Sequence, residues 1–533
     1  MVVWWVRLWP PAWRTNLLRS ACAWRWSVAN HFSPILLSPH ASNRPSMCCL
    51  LQIDGAETLP SVPSTSAPSG TIPGIRVSTL TYHSVAFLQA CGAWKSMAPP
   101  HSTDFVAMQV WNWGGSCHIR WDASALGLPN MGHVAENVVV QAAALAAARE
   151  HGVEIHTGKL IEHLHLPGSN GFDISSNSSS SDKAQSPSTE SASSSSSLPS
   201  PPPPGSNGLA RVRLNDGSEW VARLIVGADG PQSVTRRLAQ IPVNPSTYQE
   251  MGVTFTVATS EPNYTAWQRF LPTGPLALLP VRSGYSNVVW TTTPDLAQAL
   301  LAMTREERTE ATQRALHDQP SSSATAHHTT SSPANGLGLL AQEASRVLSD
   351  IGQLQYGAQR LSRAFAIPPR VVAHVGEEAK AFPLRRAHAE RYVGPGGRLA
   401  LVGDAAHSIH PLAGQGLNLG LQDAEALAGA IGRATEEGAD FGDAQWLREK
   451  YERPAWRSNQ LMITSLDAIR SLFQIQAGGV SAMRDVGMQV LNISEPIKNA
   501  IMAYAMGVKG SNGSTVVREG TKEWGEDRRA DGG

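Results

Sequence analysis

Cysteine is scarce in this chain, and none of its five cysteines forms a C-x-x-C pair. This pattern favours neither a zinc site nor a disulfide framework, and it fits a reducing compartment. The formal net charge is zero, so no overall field attracts nucleic acid, and we expect no nucleic-acid partner. No run of about 18 uncharged apolar residues occurs, so the sequence predicts no membrane-spanning helix.

Acidic residues and glycine are both missing from the start of the chain. The first acid is Asp54 and the first glycine is Gly55, whereas five arginines lie within residues 1–53. A basic start without acids is typical of a mitochondrial or chloroplast transit peptide. The alternative is a translated upstream region or a wrong gene start, which the excess of tryptophan in this segment favours.

Two polar, low-complexity segments interrupt the rest of the chain, whose 533 residues are enough for two or three domains. Residues 168–208 and 318–336 contain too few apolar side chains to offset the entropy of ordering, so both are predicted to be disordered insertions. His327 and His328, in the second insertion, could contact a metal, but a solvated tract is the simpler interpretation.

The remaining sequence has a mixed α/β pattern. Residues 137–152 predict a helix that ends at Gly152, with a strand directly after it. The turn residues at 215–217 predict a β-hairpin. Residues 422–505 predict a mostly helical region.

The stretch "RLALVGDAAHSIHPLAGQGLNLGLQDAEALA" (398–428) carries the most specific pattern. A short apolar strand ends just before Asp404, and α/β folds place ligand contacts at that end of a strand. A carboxylate accepts hydrogen bonds, which suits a sugar hydroxyl. His407 and His410 could suggest a metal, but no third ligand is apparent, so no metal site is predicted.

The second half of this stretch exposes bare backbone at the start of a helix. Pro411 stiffens the turn, and Gly414 and Gly416 precede a helix that is predicted to begin near Leu417. The free N–H groups and partial positive charge of a helix N-terminus suit a phosphate, or the N1/O2 edge of a flavin that becomes anionic on reduction.

This stretch resembles the flavin-binding signature of the class A flavoprotein aromatic hydroxylases. "LIVGADGPQSVTRRLAQI" (224–241) resembles the second marker of that family, a strand followed by G-A-D-G and S-x-x-R. Finer similarity points to the ubiquinone-biosynthesis branch and its eukaryotic mitochondrial member, and covers roughly residues 75–505 apart from the insertions. The segments that carry it include residues 76–94, 108–111, 131–140, 266–281, 382–393 and 494–507.

The resemblance implies an α/β fold in which a Rossmann-like FAD-binding domain, incomplete at its N-terminal side, carries an inserted mixed β-sheet substrate domain and a C-terminal helical region. The expected boundaries are 1–53 for the leader-like segment, 54–167, 209–240 and 396–435 for the FAD-binding parts, 168–208 and 318–336 for the insertions, 241–317 and 337–395 for the substrate domain, 436–510 for the C-terminal helices and 511–533 for a disordered tail.

The resemblance also implies FAD as the cofactor and assigns its contacts. Asp404 and Asp229 would fix the ribityl and ribose portion, and backbone N–H groups from Gly414 to Asn418 would hold the isoalloxazine edge. Arg76 and Gln141 match positions that line FAD in the family. The flavin carries the chemistry, so no catalytic side chain is predicted.

One departure from the family concerns the pyrophosphate of FAD. Family members begin with a strand, G-x-G-x-x-G and a helix, and residues 1–75 contain no such pattern. Residues 48–57 could be the remnant of the family's second strand, with Asp54 as its ribose-binding acid. Either an exon is missing or the site is lost, and as written the chain is expected to bind FAD weakly or not at all.

The substrate wall is expected from the second sheet. Candidates to face the aromatic ring or its prenyl tail are Trp267, Phe270, Leu278 and Trp290, with core packing as the alternative for each. Arg269 is predicted either to meet a carboxylate or to lie in solvent.

The implied function is hydroxylation of the ring of a polyprenylated benzoate or phenol with O₂ and electrons from a ferredoxin system or NAD(P)H. The implied location is the matrix side of the mitochondrial inner membrane, peripherally bound within a ubiquinone-biosynthesis complex. The alternatives are a fold-retaining component of that complex with impaired catalysis, and a flavin hydroxylase of another aromatic substrate.

Overall fold

The structure is a computed structural model, and it describes only part of the chain. The described residues are 35–39, 48–53, 59–61, 72–97, 101–113, 118–167, 172–173, 208–282, 284–318, 365–475, 484, 487–488, 490–492 and 494–506. Asp54, His327, His328, the C-terminal tail and most of both insertions therefore lie outside the described residues.

Twenty strands and nine helices are defined within this part of the chain. The strands are β1 (Ile35–Pro39), β2 (Cys48–Ile53), β3 (Val77–Leu80), β4 (Ser102–Phe105), β5 (Ala107–Asn112), β6 (His118–Asp122), β7 (Gly132–Glu136), β8 (Glu154–His156), β9 (Ile161–His165), β10 (Phe172–Asp173), β11 (Ala210–Leu214), β12 (Glu219–Ala222), β13 (Ile225–Gly227), β14 (Val243–Thr259), β15 (Thr265–Leu271), β16 (Gly274–Arg282), β17 (Tyr285–Thr292), β18 (Val371–Ala389), β19 (Leu399–Leu401) and β20 (His407–Ser408). The helices are α1 (Tyr82–Ala90), α2 (Asn137–Glu150), α3 (Val234–Leu238), α4 (Pro294–Ala302), α5 (Arg305–His317), α6 (Gln415–Glu437), α7 (Ala444–Leu447), α8 (Arg453–Gln474) and α9 (Glu495–Ala505).

A five-stranded sheet in the order β19-β13-β1-β2-β8 organises the first unit of the fold. β13 pairs parallel with β19, and β2 pairs parallel with β8. Both β13 and β19 are buried, as expected for strands covered on both faces. The loop after β19 therefore starts from a rigid, buried support.

An eight-stranded sheet in the order β20-β18-β14-β17-β16-β15-β5-β6 forms the second unit. Helices α4 and α5 cover one face of it, where they share an apolar cluster with Trp267 and Trp290. Because side chains alternate along a strand, Phe270 points to the other face and packs with Leu412 and Leu466. This second face is the one that meets the 403–418 loop.

Most of the predicted secondary structure is confirmed. Residues 137–150 form α2, a strand follows at 154–156, and residues 215–217 lie in the turn between β11 and β12. The segment 266–281 forms two antiparallel strands joined at 272–273. Within the described helices, none is both long enough and apolar enough to cross a bilayer.

Candidate functional site

The loop after β19 is held from behind by a buried polar network. The Asp423 carboxylate on α6 accepts the backbone N–H of Gly403 at 2.9 Å and pairs with His407 Nε2 at 2.6 Å, while Asn459 Nδ2 donates to its other oxygen at 2.8 Å. Burial alone would lower the pKa of His407, but the Asp423 carboxylate outweighs it and raises that pKa. This network fixes the backbone at 403–407.

The two sequence markers meet through one arginine. Arg236 donates from Nη1 to the carbonyl of Ala405 at 2.6 Å and from Nη2 to the carbonyl of Pro231 at 3.0 Å. Its guanidinium is buried, so these neutral acceptors and the nearby Asp229 charge stabilise it. The S-x-x-R pattern therefore works as a clamp between the G-A-D-G loop and the G-D-A-A-H loop.

Asp229 is buried and already bonded inside the protein. Its carboxylate accepts the hydroxyl of Ser233 and the backbone N–H of Thr235, the latter at 2.9 Å. Burial raises the pKa of this carboxyl. Asp229 thus ties down the start of α3, with part of its acceptor capacity left for a ligand.

Asp404 differs from Asp229 in having no such partners. Its side chain is half-buried, and within the described part of the chain its carboxylate accepts no hydrogen bond. Burial raises its pKa. A half-buried carboxylate without a donor is costly, which is the condition that a ligand hydroxyl would relieve.

The N-terminus of α6 lies at the end of the same loop. Gly414 has φ +62°, a left-handed conformation that favours glycine, and a Cβ there would meet the Thr79 side chain at 3.2 Å. No side chain caps the helix, so its first amides at Gln415, Gly416 and Leu417 have no intrahelical partner.

The backbone N–H groups at either end of the predicted 414–418 set are used by the protein itself. Gly414 N–H donates to the carbonyl of Pro411 at 3.1 Å. Asn418 is the fourth residue of α6, so its N–H lies within the hydrogen-bond ladder of the helix. The Asn418 side chain is buried, accepts the backbone N–H of Thr81 at 3.1 Å and donates to the carbonyl of Thr79 at 2.9 Å. Asn418 therefore joins α6 to the β3–α1 segment, and the free donors are narrowed to the first three helical amides.

Arg76 and Gln141 belong to neighbouring segments, the start of β3 and the first turns of α2. The Arg76 carbonyl accepts the Asn137 N–H at 2.9 Å, and its side chain is exposed. Gln141 is half-buried, one turn further along α2 from Asn137. β3, which begins next to Arg76, contributes the Thr79 that contacts Gly414. Their assignment to the cofactor site stays a prediction.

Of the predicted substrate residues, only Phe270 faces the loop. It stacks on Phe473 at 3.8 Å between ring centroids and belongs to the cluster with Leu412 and Leu466. Leu278, Trp267 and Trp290 lie in the cluster beneath α4 and α5, which corresponds to the core-packing alternative.

Arg269 takes neither of its predicted environments. It is 3% exposed and donates from Nη1 to the Ala315 carbonyl at 2.9 Å and from Nη2 to the Asp318 carbonyl at 2.7 Å. Burial lowers its pKa to about 10. The side chain holds the end of α5, away from the loop, because it alternates with Phe270 along β15.

The two histidines of the loop face different carboxylates. His407 pairs with Asp423, and His410 pairs with Glu250. In the part of the chain that the structure describes, no group of three His, Cys, Asp or Glu side chains could hold a metal ion.

The residues present fit the isoalloxazine and ribityl part of FAD better than they fit its pyrophosphate. Asp404 and the uncapped start of α6 suit the ribityl chain and the isoalloxazine edge. In the five-stranded sheet, β1 lies between β13 and β2 and runs antiparallel to both. Residues 40–47 link β1 to β2, fewer than the dozen or so that a parallel crossover with a helix needs. The described residues therefore supply no strand–turn–helix cradle for a pyrophosphate.

Comparison with known proteins is consistent with this geometry. Residues 355–457 match the model of the FAD binding domain family. The chain is 30% identical to the mitochondrial ubiquinone biosynthesis monooxygenase COQ6 of Mus musculus over 81% of this chain and 80% of that protein, and 30% identical to that of Homo sapiens over 81% of each. The chain belongs to the COQ6 family. It is therefore an FAD-dependent monooxygenase of ubiquinone biosynthesis, as the resemblance predicted.

Solved structures share the fold of this COQ6-family chain. p-Nitrophenol 4-monooxygenase PnpA from Pseudomonas putida DLL-E4 superposes with a TM-score of 0.53 at 15% identity, covering 85% of this chain and 90% of its own. The probable FAD-dependent monooxygenase pqsL from Pseudomonas aeruginosa gives 0.50 at 17% identity, covering 81% and 92%. These likenesses confirm the predicted fold class, a mixed α/β fold with a multi-stranded mixed sheet and C-terminal helices.

Sequence reasoning missed the residues that support the loop from a distance. Glu250, Asn459 and Phe473 lie in segments without any motif, so no local signal marks them. Asp423 could have been found, because it is a lone acid on the apolar face of an Ala/Leu-rich helix, where an acid is buried only with a partner.

Replacing Asp404 by asparagine should stabilise the flavin-free chain by about 1 kcal/mol and weaken flavin binding, because it replaces a costly carboxylate by a neutral amide, whose oxygen is a weaker acceptor for a ligand hydroxyl. Burial raises the pKa of Asp404, so the stability it contributes is present at low pH and is lost as pH rises through the folded-state pKa. The gain in urea unfolding free energy should thus be larger at about pH 7 than at about pH 4. A gain that is equal at both pH values would contradict this account of Asp404.

Proposed function

We propose that this chain hydroxylates the aromatic ring of a polyprenylated benzoate or phenol at the loop that begins with Asp404. The observation that carries the proposal is the meeting of an unpartnered, half-buried carboxylate and an uncapped helix start on one loop, whose Leu412 packs in the apolar cluster of Phe270. One side suits a flavin and the other suits a ring with a hydrocarbon tail.

The chain's own residues would bind and orient the cofactor. Asp404 would accept a hydrogen bond from a ribityl hydroxyl, and the amides of Gln415, Gly416 and Leu417 would donate to the pyrimidine edge of the isoalloxazine. Pro411 would keep the turn between them rigid, and Arg76 and Gln141 would line the side of the cofactor. Bound FAD supplies the activation of O₂ once it has been reduced.

The apolar cluster would hold the ring and exclude water. The reaction converts an aromatic C–H to C–OH, with O₂, two electrons and two protons giving one molecule of water besides the product. Phe270 and Phe473 would stack beside the ring, and Leu412 and Leu466 would continue the apolar wall. We assign no side chain as proton donor or nucleophile.

Isotope transfer tests the proposal. The purified chain is saturated with FAD, supplied with a reductant and a short-tailed prenyl hydroxybenzoate, and exposed to ¹⁸O₂. The expected product is heavier by one oxygen atom that carries the label, and the amount formed should fall in the Phe270→Ala variant. A product without label, or no product from a flavin-loaded chain, would rule out the proposal.

A fold-retaining role without catalysis is the second candidate. The antiparallel β1 favours it, because the family's pyrophosphate loop is expected after a first strand that leads into a helix, and β1 is instead paired antiparallel with β2. The isotope experiment separates the two candidates, since this role predicts assembly with partners of ubiquinone synthesis without any turnover.

The electron donor would be a ferredoxin system or NAD(P)H, and the chain would act within a ubiquinone-biosynthesis complex on the matrix side of the mitochondrial inner membrane. Peripheral membrane contact would come from α9. Met502 of this helix and Met506 directly after it are buried, whereas Ile497 and Ile501 are 55% and 46% exposed and lie one turn apart. Two exposed apolar side chains on one face suit shallow insertion into a bilayer.

Changing both Ile497 and Ile501 to glutamate should remove most binding to phospholipid vesicles, as measured by flotation. Both side chains are exposed, so the urea unfolding curve should stay within about 0.5 kcal/mol of the parent. The matched control is Leu160→Glu, which alters an equally exposed side chain on another part of the fold. Equal loss of binding in the control, or none in the double variant, would contradict the assignment of α9.

A further inference from the structure

His410 caps the turn that leads into the flavin-facing helix start. Its Nδ1 accepts the backbone N–H of Leu412 at 3.1 Å, at the N-terminus of the short 3-10 turn Pro411–Ala413. That turn ends at Gly414, directly before the first free amide of α6. The imidazole therefore holds the turn from which α6 starts.

The contacts of His410 also fix its tautomer. Because Leu412 N–H is a donor, Nδ1 must be the acceptor, and Nε2 then carries the hydrogen. Nε2 lies 3.3 Å from Glu250 Oε2, so the imidazole donates to that carboxylate. The Tyr248 ring packs edge-on against the imidazole at 5.0 Å between centroids, which prevents the ring from turning away.

Glu250 is in turn held by the C-terminal helix. Arg470 Nε donates to Oε2 at 2.9 Å and Gln474 Nε2 donates to Oε1 at 2.7 Å, both from α8. Burial alone would raise the pKa of Glu250, but the hydrogen bonds from His410 and Arg470 outweigh it and keep the pKa below its usual value. The carboxylate is thus charged and has donors on both oxygens.

We propose that His410 and Glu250 are positioning residues for the flavin, which connect α8 to the turn at 411–413. The line of contacts runs from Arg470 and Gln474 through the carboxylate and the imidazole to the N–H of Leu412. The same part of α8 carries Phe473, so one helical turn supports both the flavin-facing backbone and the ring that stacks on Phe270. This inference rests on the proposed flavin site for its functional meaning.

Hydrogen exchange of the flavin-free full chain tests the structural half. In His410→Ala and Glu250→Ala, the amides of a peptide spanning 409–417 should exchange about fivefold to tenfold faster, the effect of losing a helix cap. His410→Asn keeps an acceptor for Leu412 but cannot reach Glu250, and Glu250→Gln keeps an acceptor for His410, so both should be closer to the parent. The control is His374→Asn, a buried histidine bonded to Arg308 beneath α5.

Flavin titration tests whether His410 and Glu250 position the flavin. His410→Ala and Glu250→Ala should raise the dissociation constant about tenfold and blur the vibrational shoulders of the flavin absorption band, whereas His374→Asn should do neither at matched stability. Unchanged exchange at 409–417 in both alanine variants overturns the inference. Faster exchange with unchanged flavin affinity also overturns it. In that case His410 and Glu250 do hold the turn, and the proposed flavin site is wrong.

Discussion

Replacing Gly416 by alanine or leucine should weaken flavin binding by about tenfold or more while leaving the flavin-free chain at least as stable as the parent. A Cβ at Gly416 would meet a single protein atom, Ile409 Cγ1 at 3.9 Å, which is an ordinary contact. The position has no positive φ, so a residue with a Cβ fits the helix, and alanine favours helix over glycine by up to about 1 kcal/mol. Protein packing therefore gives no reason for glycine here.

A ligand does give such a reason. A side chain beside the free amides of Gln415, Gly416 and Leu417 occupies space that an isoalloxazine edge needs in order to reach them. Flavin affinity is expected to fall while the free energy of unfolding stays the same or rises. A damaged fold would lower both, so it cannot explain this combination. The larger loss is expected with leucine, because the added volume is greater.

Fluorescence quenching on flavin titration and urea unfolding of the same samples measure the two effects. The matched control is Gly429→Ala in the same helix, where a Cβ would meet only the flexible end of Arg433 at 3.4 Å. This control should gain stability and keep its flavin affinity. If Gly416→Leu binds flavin as the parent does, the helix start is not the isoalloxazine site, and the proposed function loses its main support.

The turn and helix start at 403–418 could be predicted because they depend on local sequence. Pro411 lies at the start of the short turn and Gly414 has the left-handed conformation that precedes α6, and the sequence shows both residues directly. The use of Asn418 in packing could not be foreseen, because its partners at Thr79 and Thr81 are brought to it only by the fold. The same holds for Glu250, which meets His410 across 160 positions of the chain.

The sequence also could not show which face of a strand would be covered by helices. Trp267, Arg269 and Phe270 are neighbours on β15, and all are apolar or amphipathic enough to be buried. Alternation predicts that Phe270 faces away from the other two, but only the placement of α4 and α5 decides which face is the covered one. The direction of β1 is a similar case, since pairing depends on the neighbours that the strand meets rather than on its own residues.

Riboflavin, FMN and FAD should bind this chain with dissociation constants within about threefold of one another, because β1 runs antiparallel to its neighbours. The described contacts suit the isoalloxazine and ribityl parts, which all three ligands share. In the family, the added phosphates rest on a helix N-terminus that follows the first strand. The described residues include no such helix after β1, which pairs antiparallel with β2.

A graft provides the matched comparison. Residues 35–47 are replaced by a strand, a G-x-G-x-x-G turn and a helix, and both proteins are titrated with the three flavins. The graft should favour FAD over riboflavin by about tenfold or more, since a phosphate at a helix N-terminus contributes roughly 1 to 2 kcal/mol. If the parent chain itself prefers FAD by that margin, it recognises the pyrophosphate with residues other than a βα turn, and the antiparallel β1 does not limit cofactor binding. If the parent chain binds the three flavins equally and the graft prefers FAD, the difference in FAD affinity between this chain and its flavin-binding relatives lies in one strand and the turn that follows it.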